Sequence, residues 1–177
     1  MLLPKQSAKR RPPLPVLPKR WAFTVKMIFR HWKTKYGMER KGNMLILVDT
    51  NILFSALVFP RSKPAQALLY IVDNHEIVLC DRNIVELQDI LKRKAPKFLP
   101  DAEVLLAEMS YELIPAVDHA EKLIRDAKDQ PILNAAIMSD VDIILTGDKD
   151  FLSLEMEHPK CMTVAHFFEN EGVEELL

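Results

Sequence analysis

The segment 44–60, MLILVDTNILFSALVFP, decides the fold class of this chain. It opens with five consecutive apolar residues, and so short a run without polar alternation is typical of a β-strand buried on both faces. Asp49 follows directly, so we expect its side chain at the carboxyl end of that strand. In open α/β sheets this edge binds ligands, because the loops that leave the strands form a crevice there. Thr50 and Asn51 come next and can cap the following helix or orient the carboxylate.

A second stretch of similar design lies about a hundred residues further along the chain. Residues 141–146, VDIILT, form another short and mainly apolar run, which leads through Gly147 into Asp148. A single acid after a single strand is weak evidence for a functional site. Two buried strands that each end in an acid predict that both carboxylates line a single acidic cleft.

Short apolar segments alternate with amphipathic segments along the rest of the chain, which predicts a parallel sheet with helices on both faces. Further strands are expected over 77–80 and 161–165, the second followed by an acidic helical tail. Asp81 and Asp129 are predicted to cap two of the helices. The segment 115–125 is ambiguous. Helices are expected over residues 52–58, 65–73, 83–93, 101–112 and 130–139.

The composition fits one globular domain that folds in water. The chain has 177 residues, 49% of them hydrophobic, and a mean hydropathy of −0.02. No stretch approaches about eighteen unbroken apolar residues, so no membrane span is expected, and we predict a cytoplasmic location. Cys80 and Cys161 lie far apart in sequence, which fits reduced thiols. With 4 glycines and no glycine-rich loop, nucleotide-triphosphate and dinucleotide folds are disfavoured.

Charge divides the chain into two parts. Residues 1–43 contain 12 of the 24 Lys and Arg and a single acid, Glu39, for a net charge of +11, whereas the remaining 12 bases and 24 acids give −12. We therefore treat 1–43 as a basic and largely disordered extension and 44–177 as the domain. Prolines concentrate in 1–20 and favour an extended segment. Apolar residues then recur at helical spacing, at Trp21, Val25, Ile28, Phe29 and Trp32.

The role of this extension stays open. One interpretation is a start codon assigned too early, since Met38 and Met44 would each begin a chain that contains the whole domain, or else a dispensable arm. Another is a contact with nucleic acid or with an acidic partner. A targeting peptide is the third.

Four acids are predicted to meet at one end of the sheet. Asp49 and Asp148 follow strands, and Glu86 and Asp129 lie where helices begin, so in a parallel α/β fold all of them face the same crevice. Carboxylates so close together repel one another, which raises the pKa of some of them. Mg²⁺ or Mn²⁺ would remove this repulsion, because both are hard cations that bind oxygen. The chain offers no His/Cys ligand set, which disfavours zinc.

Several of these acids have competitors or plainer explanations. Glu86 lies near the start of a helix, where the macrodipole alone favours an acid, and Asp89 one turn later competes with it as a ligand. Asp129 could serve only as an N-cap, and Asp126 competes with it. Asp150 is either an additional ligand or water-positioning residue, or a solvated turn residue.

Two motifs in this order resemble a known family. Residues 48–60, VDTNILFSALVFP, and residues 125–151, RDAKDQPILNAAIMSDVDIILTGDKDF, look like the matching segments of PIN-domain nucleases. They are most similar to the VapC-like branch described as toxin components of toxin-antitoxin systems. The resemblance covers roughly residues 44–168, and it implies a three-layer α/β/α fold with a central parallel sheet.

The resemblance also implies roles for individual residues. Asn51 and Thr146 match the polar positions beside the family's first and last acids. The family's four acids match, in order, Asp49, Glu86, Asp129 and Asp148. The implied activity is hydrolysis of single-stranded RNA by a ribonuclease that depends on Mg²⁺ or Mn²⁺. The implied partners are a cognate antitoxin protein and a second copy of the chain in a homodimer.

Other classes of protein fit less well. A haloacid-dehalogenase-like phosphatase also has an Asp after its first strand but needs a second Asp two positions later, where this chain has Asn51. A response-regulator receiver needs paired acids near the first strand and an Asp after the third, and neither is evident. Two alternatives stay open. One is a PIN-fold module that binds RNA or a partner without cutting, and the other is an RNA-processing nuclease that has no antitoxin.

Overall fold

The computed structural model describes residues 43–118 and 122–173. The basic extension, apart from Asn43, lies outside the described residues. The predicted extended segment 1–20 and the predicted helical stripe within 21–32 therefore lie outside them as well.

One parallel sheet forms the centre of the described part of the chain, and its strands are β1 (Leu45–Val48), β2 (Glu76–Cys80), β3 (Glu112–Ile114), β4 (Ile143–Leu145) and β5 (Lys160–Met162). Their order in the sheet is β3-β2-β1-β4-β5. Leu47 of the central strand pairs with Val78 of β2 on one side and with Ile144 of β4 on the other. The segment 44–60 that opens with β1 thus holds the middle of the sheet.

Helices connect these strands, namely α1 (Thr50–Val58), α2 (Lys63–Asn74), α3 (Asp81–Lys94), a 3-10 helix (Pro96–Phe98), α4 (Leu99–Glu108), α5 (Gln130–Met138), α6 (Lys149–Leu152) and α7 (Val164–Glu171). Local sequence explains where several of them begin. The Ser62 side chain caps α2 by accepting a hydrogen bond from the Ala65 N–H at 3.4 Å. A proline lies in the first turn of both α2 and α5, where it costs no helical hydrogen bond.

Both faces of the sheet are covered, because successive strand side chains point to opposite sides. On one face Ile46 and Val48 pack with residues from α1 to α4 and α7, and on the other Leu47 packs with residues from α5 and α6. All three side chains have 0% exposure, and burying each contributes about 1.5–3 kcal/mol. The predicted three-layer α/β/α fold with a central parallel sheet is confirmed.

Several predicted element boundaries were wrong. The helix expected over 101–112 ends at Glu108. Its predicted last residue, Glu112, is instead the first residue of β3. The strand expected over 161–165 ends at Met162, because Thr163 caps α7 by accepting a hydrogen bond from the His166 N–H at 3.3 Å.

Asp81 does not cap α3 as predicted, since it is the first residue of that helix. Its Oδ1 accepts hydrogen bonds from the Arg82 N–H at 2.7 Å and from the Ala116 N–H at 3.0 Å. It therefore ties the start of α3 to the chain that follows β3. The ambiguous segment 115–125 contains no helix or strand among its described residues.

Within residues 43–118 and 122–173, none of the helices combines the length and the apolar character needed to cross a bilayer.

Candidate active site

The candidate site lies at the carboxyl ends of β1 and β4. From β1 the sheet continues to β2 and β3 on one side and to β4 and β5 on the other, and such a switch point leaves a crevice between the two connections. Val48 pairs with Leu145 where the two strands end, and the Asp49 N–H donates to the Leu145 carbonyl at 3.0 Å. The chain segments that carry Asp49 and Asp148 therefore leave the sheet side by side.

Asp49 is firmly held by its neighbours and is only 7% exposed. Its Oδ2 accepts hydrogen bonds from the Thr146 hydroxyl at 2.6 Å and from the Asn51 amide at 2.7 Å. Its Oδ1 accepts a hydrogen bond from the Thr50 N–H at 2.7 Å and so caps α1. These contacts fix the orientation of the carboxylate at the base of the crevice.

Burial is the main influence on the charge of Asp49. Loss of hydration raises its pKa from 3.8 to about 6, although hydrogen bonds from the Thr146 hydroxyl and the Thr50 N–H favour the ionised form. The negative charges of Glu86 and Asp148 make a smaller contribution to this rise. Asp49 is therefore an acid whose charge would respond to a cation placed beside it.

Helix α3 links Glu86 to the residue that follows Asp49. The Thr50 hydroxyl donates a hydrogen bond to Glu86 Oε2 at 2.8 Å. Asp89, one turn later, pairs instead with Lys92 at 3.7 Å, and both of these side chains are largely exposed. The geometry therefore favours Glu86 over Asp89 as the acid that this helix brings to the site.

Asn83 is a further site residue, absent from the predicted set. Its Nδ2 donates a hydrogen bond to Thr50 Oγ1 at 3.1 Å and lies 3.4 Å from Asp49 Oδ1. Asn83 has 0% exposure, and its Oδ1 has no hydrogen-bond partner among the described residues. The available signal was spacing, because Asn83 precedes Glu86 by three residues and so shares its helix face.

A second group of carboxylates lies at the end of the loop before α5. Single carboxylate oxygens of Asp126, Asp129 and Asp150 all lie within 4.8 Å of one another. Asp129 occupies the N-cap position of α5, but its side chain makes no capping hydrogen bond. Asp129 is therefore the N-cap residue by position, as predicted, but it lacks the side-chain capping hydrogen bond. Asp126 and Asp129, which the sequence presents as competitors, lie together.

Asp129 connects this second group with Asp49. Burial is the main reason that its pKa rises from 3.8 to about 7, and repulsion from nearby carboxylates adds to it. Charges must be near to act in this way, since solvent screens distant ones. In decreasing order, the repulsion comes from Asp126, Asp148, Asp49 and Glu86. The four predicted acids thus share one electrostatic environment.

The turn after β4 carries Asp148, and Asp150 follows in the first turn of α6. The Asp148 N–H donates to the Thr146 hydroxyl at 2.9 Å, and the Asp148 side chain caps α6 by accepting from the Asp150 N–H at 2.7 Å. Asn51 reaches the same turn, where its Oδ1 accepts a hydrogen bond from the Gly147 N–H at 3.3 Å. Thr146 and Asn51 therefore contact both the carboxylate of the first acid and the turn that carries the last.

The donor set fits a hard divalent cation. Asp126, Asp129 and Asp150 offer carboxylate oxygens at a spacing that a single ion can bridge. Burial, and to a smaller extent the neighbouring carboxylates, raise the pKa values of Asp49 and Asp129 and so disfavour their ionised forms. A cation among them would lower both pKa values. The residues present are thus suited to Mg²⁺ or Mn²⁺.

Together these features define an α/β/α domain with an acidic cleft at the switch point of its parallel sheet. A family model described as PIN domain matches residues 45–150, which include β1, β4 and the predicted acids. The match spans more than half of the chain. The chain belongs to the PIN domain family, as its two motifs predicted.

Two known proteins illustrate the similarity. The chain is 31% identical over 126 residues to the uncharacterized protein MJ1680 of Methanocaldococcus jannaschii, and the alignment covers 67% of this chain and 79% of that protein. The fold is similar to that in the crystal structure of VapBC2 from Rickettsia felis bound to a DNA fragment from their promoter. That comparison has a TM-score of 0.53 and 18% identity, and covers 68% of this chain and 98% of the other. At this identity the second similarity concerns the fold alone.

Proposed function

We propose that this protein is a divalent-metal-dependent ribonuclease that hydrolyses phosphodiester bonds in single-stranded RNA. The observation that supports this most directly is the gathering of carboxylates from separate chain segments around the buried Asp49. PIN domains are generally nucleases, so membership in the family supports the same activity.

The proposed metal ligands and catalytic acids are Asp49, Glu86, Asp129 and Asp148, with Asp126 and Asp150 beside them. When bound, Mg²⁺ or Mn²⁺ would activate a water for attack on the phosphodiester and neutralise charge on the phosphoryl oxygens. The chain's own contribution is to hold the oxygen donors in place before RNA arrives.

Hydrogen bonds supply that rigidity. Thr146 and Asn51 clamp one oxygen of Asp49, and the Thr50 N–H holds the other. The Thr50 hydroxyl also binds Glu86, which limits how far the acid from α3 can move from the acid after β1. Such second contacts commonly affect metal affinity or activity by about 10- to 100-fold.

The first test asks whether RNA cleavage needs both metal and Asp49. Labelled single-stranded RNA is incubated with the full-length protein and Mn²⁺, with the protein and a chelator, or with the Asp49→Asn variant and Mn²⁺. We expect full cleavage in the first mixture and none with the chelator. The variant should cut about 100-fold more slowly, because an amide cannot supply the anionic ligand. Cutting that resists the chelator, or full activity in the variant, would overturn this mechanism.

A matched pair of variants on α3 tests which acid that helix provides. Glu86→Gln should reduce cleavage by about 10-fold or more, because Glu86 contacts Thr50 beside the site. Asp89→Asn should stay within about twofold of the wild type, because Asp89 is exposed and pairs with Lys92. If no protein cuts RNA but all of them bind it, the non-catalytic binding module becomes the better explanation.

We also propose that the protein acts as the toxin of a toxin-antitoxin pair, with a cognate antitoxin protein as partner and a homodimer as its assembly. Support comes from the VapC-like motifs and from the fold similarity to VapBC2.

Expression of the wild type alone should arrest growth, and expression of Asp49→Asn should not. A small protein encoded beside the gene should co-purify and block cleavage. Light scattering measures the dimer. An RNA-processing nuclease without an antitoxin is favoured if cells grow normally and no partner is found.

A further inference from the structure

Arg125 places a guanidinium group at the edge of the acidic site. Its Nη2 lies 2.8 Å from Asp150 Oδ1, and Asp150 belongs to the carboxylate group formed with Asp126 and Asp129. The Arg125 side chain is 86% exposed, whereas that of Asp150 is 15% exposed. Because a guanidinium has five N–H donors and one end meets Asp150, the other donors face solvent beside the cleft.

A cation at this position reduces the repulsion between the acidic site and the phosphates of RNA. The site gathers carboxylates from Asp49, Glu86, Asp126, Asp129, Asp148 and Asp150. Two divalent ions would leave this group still negative, and each RNA phosphate brings a further negative charge. The approach of RNA is therefore unfavourable unless a positive side chain outside the metal site meets the backbone.

Two other basic side chains of the described residues pair with acids outside the site. Arg82 pairs with Asp118, and Lys92 pairs with Asp89. The ion pair of Arg125 with Asp150 differs from these two, because it involves a carboxylate of the site.

We propose that Arg125 binds a phosphate of the RNA strand beside the cleavage position, while Asp150 holds the guanidinium in place. This inference rests on the proposed ribonuclease function, since it assigns an RNA contact at the same site. The planar guanidinium can donate two hydrogen bonds to a phosphate and keep another to a carboxylate. RNA can therefore bind without breaking the ion pair. Asp150 is then a positioning residue for Arg125.

The test measures RNA binding in the Asp49→Asn background, so that the RNA stays intact. Fluorescence anisotropy with labelled single-stranded RNA is recorded over a range of salt concentrations for Arg125→Ala, Arg125→Lys, Asp150→Asn and the double variant at both positions. Arg61→Ala serves as the matched control. Arg61 is exposed and follows the end of α1, about 13 Å along that helix from its start at the site.

Removal of the guanidinium should weaken RNA binding about 5- to 10-fold and reduce the slope of log affinity against log salt by about 0.7. Arg125→Lys should recover part of the loss, because it keeps the charge but not the planar fork. Arg61→Ala should leave affinity and slope unchanged. With Asp49 restored, Arg125→Ala should raise KM for RNA while kcat stays within about twofold.

The Asp150→Asn background separates a phosphate contact from a purely structural role. If Arg125 binds RNA, its replacement by Ala still weakens binding when Asp150 is already Asn. If Arg125 acts only by holding Asp150, Asp150→Asn alone reproduces the whole effect and the double variant is no worse, which overturns the inference. Equal affinity and slope for Arg125→Ala and its parent would overturn it as well.

Cleavage by the wild-type chain with Mn²⁺ is measured in parallel. If RNA binds through Arg125 but is never cut, this inference stands and the proposed ribonuclease activity fails. If RNA is cut while Arg125→Ala changes neither binding nor KM, the inference fails and the ribonuclease stands. Absence of RNA binding by the Asp49→Asn protein at every salt concentration also overturns the inference.

Discussion

The hydroxyl of Thr146 shows how much one side-chain oxygen can organise. It donates a hydrogen bond to Asp49 Oδ2 at 2.6 Å and accepts one from the Asp148 N–H at 2.9 Å. Thr146 has 0% exposure, so no water can replace either contact without a change in structure. One hydroxyl thus links the acid that follows β1 to the turn that follows β4.

Thr146→Val should lower metal-dependent cleavage about 10- to 100-fold, because valine has a similar shape but neither donates nor accepts. The rise of activity with pH should also move to higher pH. In the wild type, the hydrogen bond from the Thr146 hydroxyl favours the ionised form of Asp49. Its loss in the Val variant therefore raises the pKa of Asp49 further. Thr146→Ser keeps the hydroxyl and should retain most of the activity. A pH–rate profile measures this, and one that is unchanged in the Val variant would contradict the role assigned to the hydroxyl.

At the scale of elements, α7 fastens the last part of the described chain to α2. Phe167 has 0% exposure, and its ring centroid lies 5.9 Å from that of Tyr70, with the ring planes inclined at 76°. The Tyr70 hydroxyl donates to Glu171 Oε2 at 2.9 Å, and the same oxygen lies 3.3 Å from His75 Nε2. Aromatic packing and a partly buried polar network therefore hold the two helices together.

Phe167→Ala should destabilise the protein by about 3–5 kcal/mol, because it removes a buried aromatic side chain and leaves a cavity. His166→Ala is the matched control, since His166 is exposed on the same helix, and it should change stability by less than about 0.5 kcal/mol. Urea denaturation measures both free energies of unfolding. Equal midpoints for the two variants would show that α7 is not held through Phe167.

Elements with two covered faces were easier to predict than those at the sheet edge. β1 is an unbroken apolar run because it is central and both of its faces are covered. β3 is an edge strand of three residues, of which Glu112 and Leu113 are exposed and only Ile114 is buried. Such a segment carries no apolar pattern, and backbone pairing with β2 alone makes it a strand.

At the scale of the whole molecule, the site carboxylates link stability to pH. In the metal-free fold, burial and mutual repulsion raise the pKa of Asp49 to about 6 and that of Asp129 to about 7, against 3.8 ordinarily. The folded state therefore binds protons more tightly than the unfolded state does. The resulting stabilisation is fully present below pH 3.8 and is lost as pH rises through 6 and 7.

In the presence of a chelator, Tm should therefore fall between about pH 5 and pH 8 more steeply in the wild type than in the double variant Asp49→Asn, Asp129→Asn, which lacks both titrating groups. Mn²⁺ should raise the Tm of the wild type more at pH 8 than at pH 5.5, because protons compete with the metal for the carboxylates. The double variant should respond little to Mn²⁺. Differential scanning fluorimetry measures these shifts, and parallel pH curves for the two proteins would contradict the linkage.

The amino-acid sequence by itself determined the parallel α/β sheet and the positions of Asp49 and Asp148 at strand ends. These are properties of short segments, since a doubly buried strand must be apolar along its whole length and the residue after it must lie at the sheet edge. The PIN domain motifs are equally local, because each lies within one continuous stretch of chain.

The tertiary structure alone decided that Asn83 lies beside Asp49, that Asp126 and Asp150 join Asp129, and that Arg125 pairs with Asp150. It also decided the raised pKa values of the buried acids. The physical reason is that burial and electrostatic repulsion act through space between segments far apart in the chain. Their strength depends on distances that neither apolar periodicity nor motif spacing encodes.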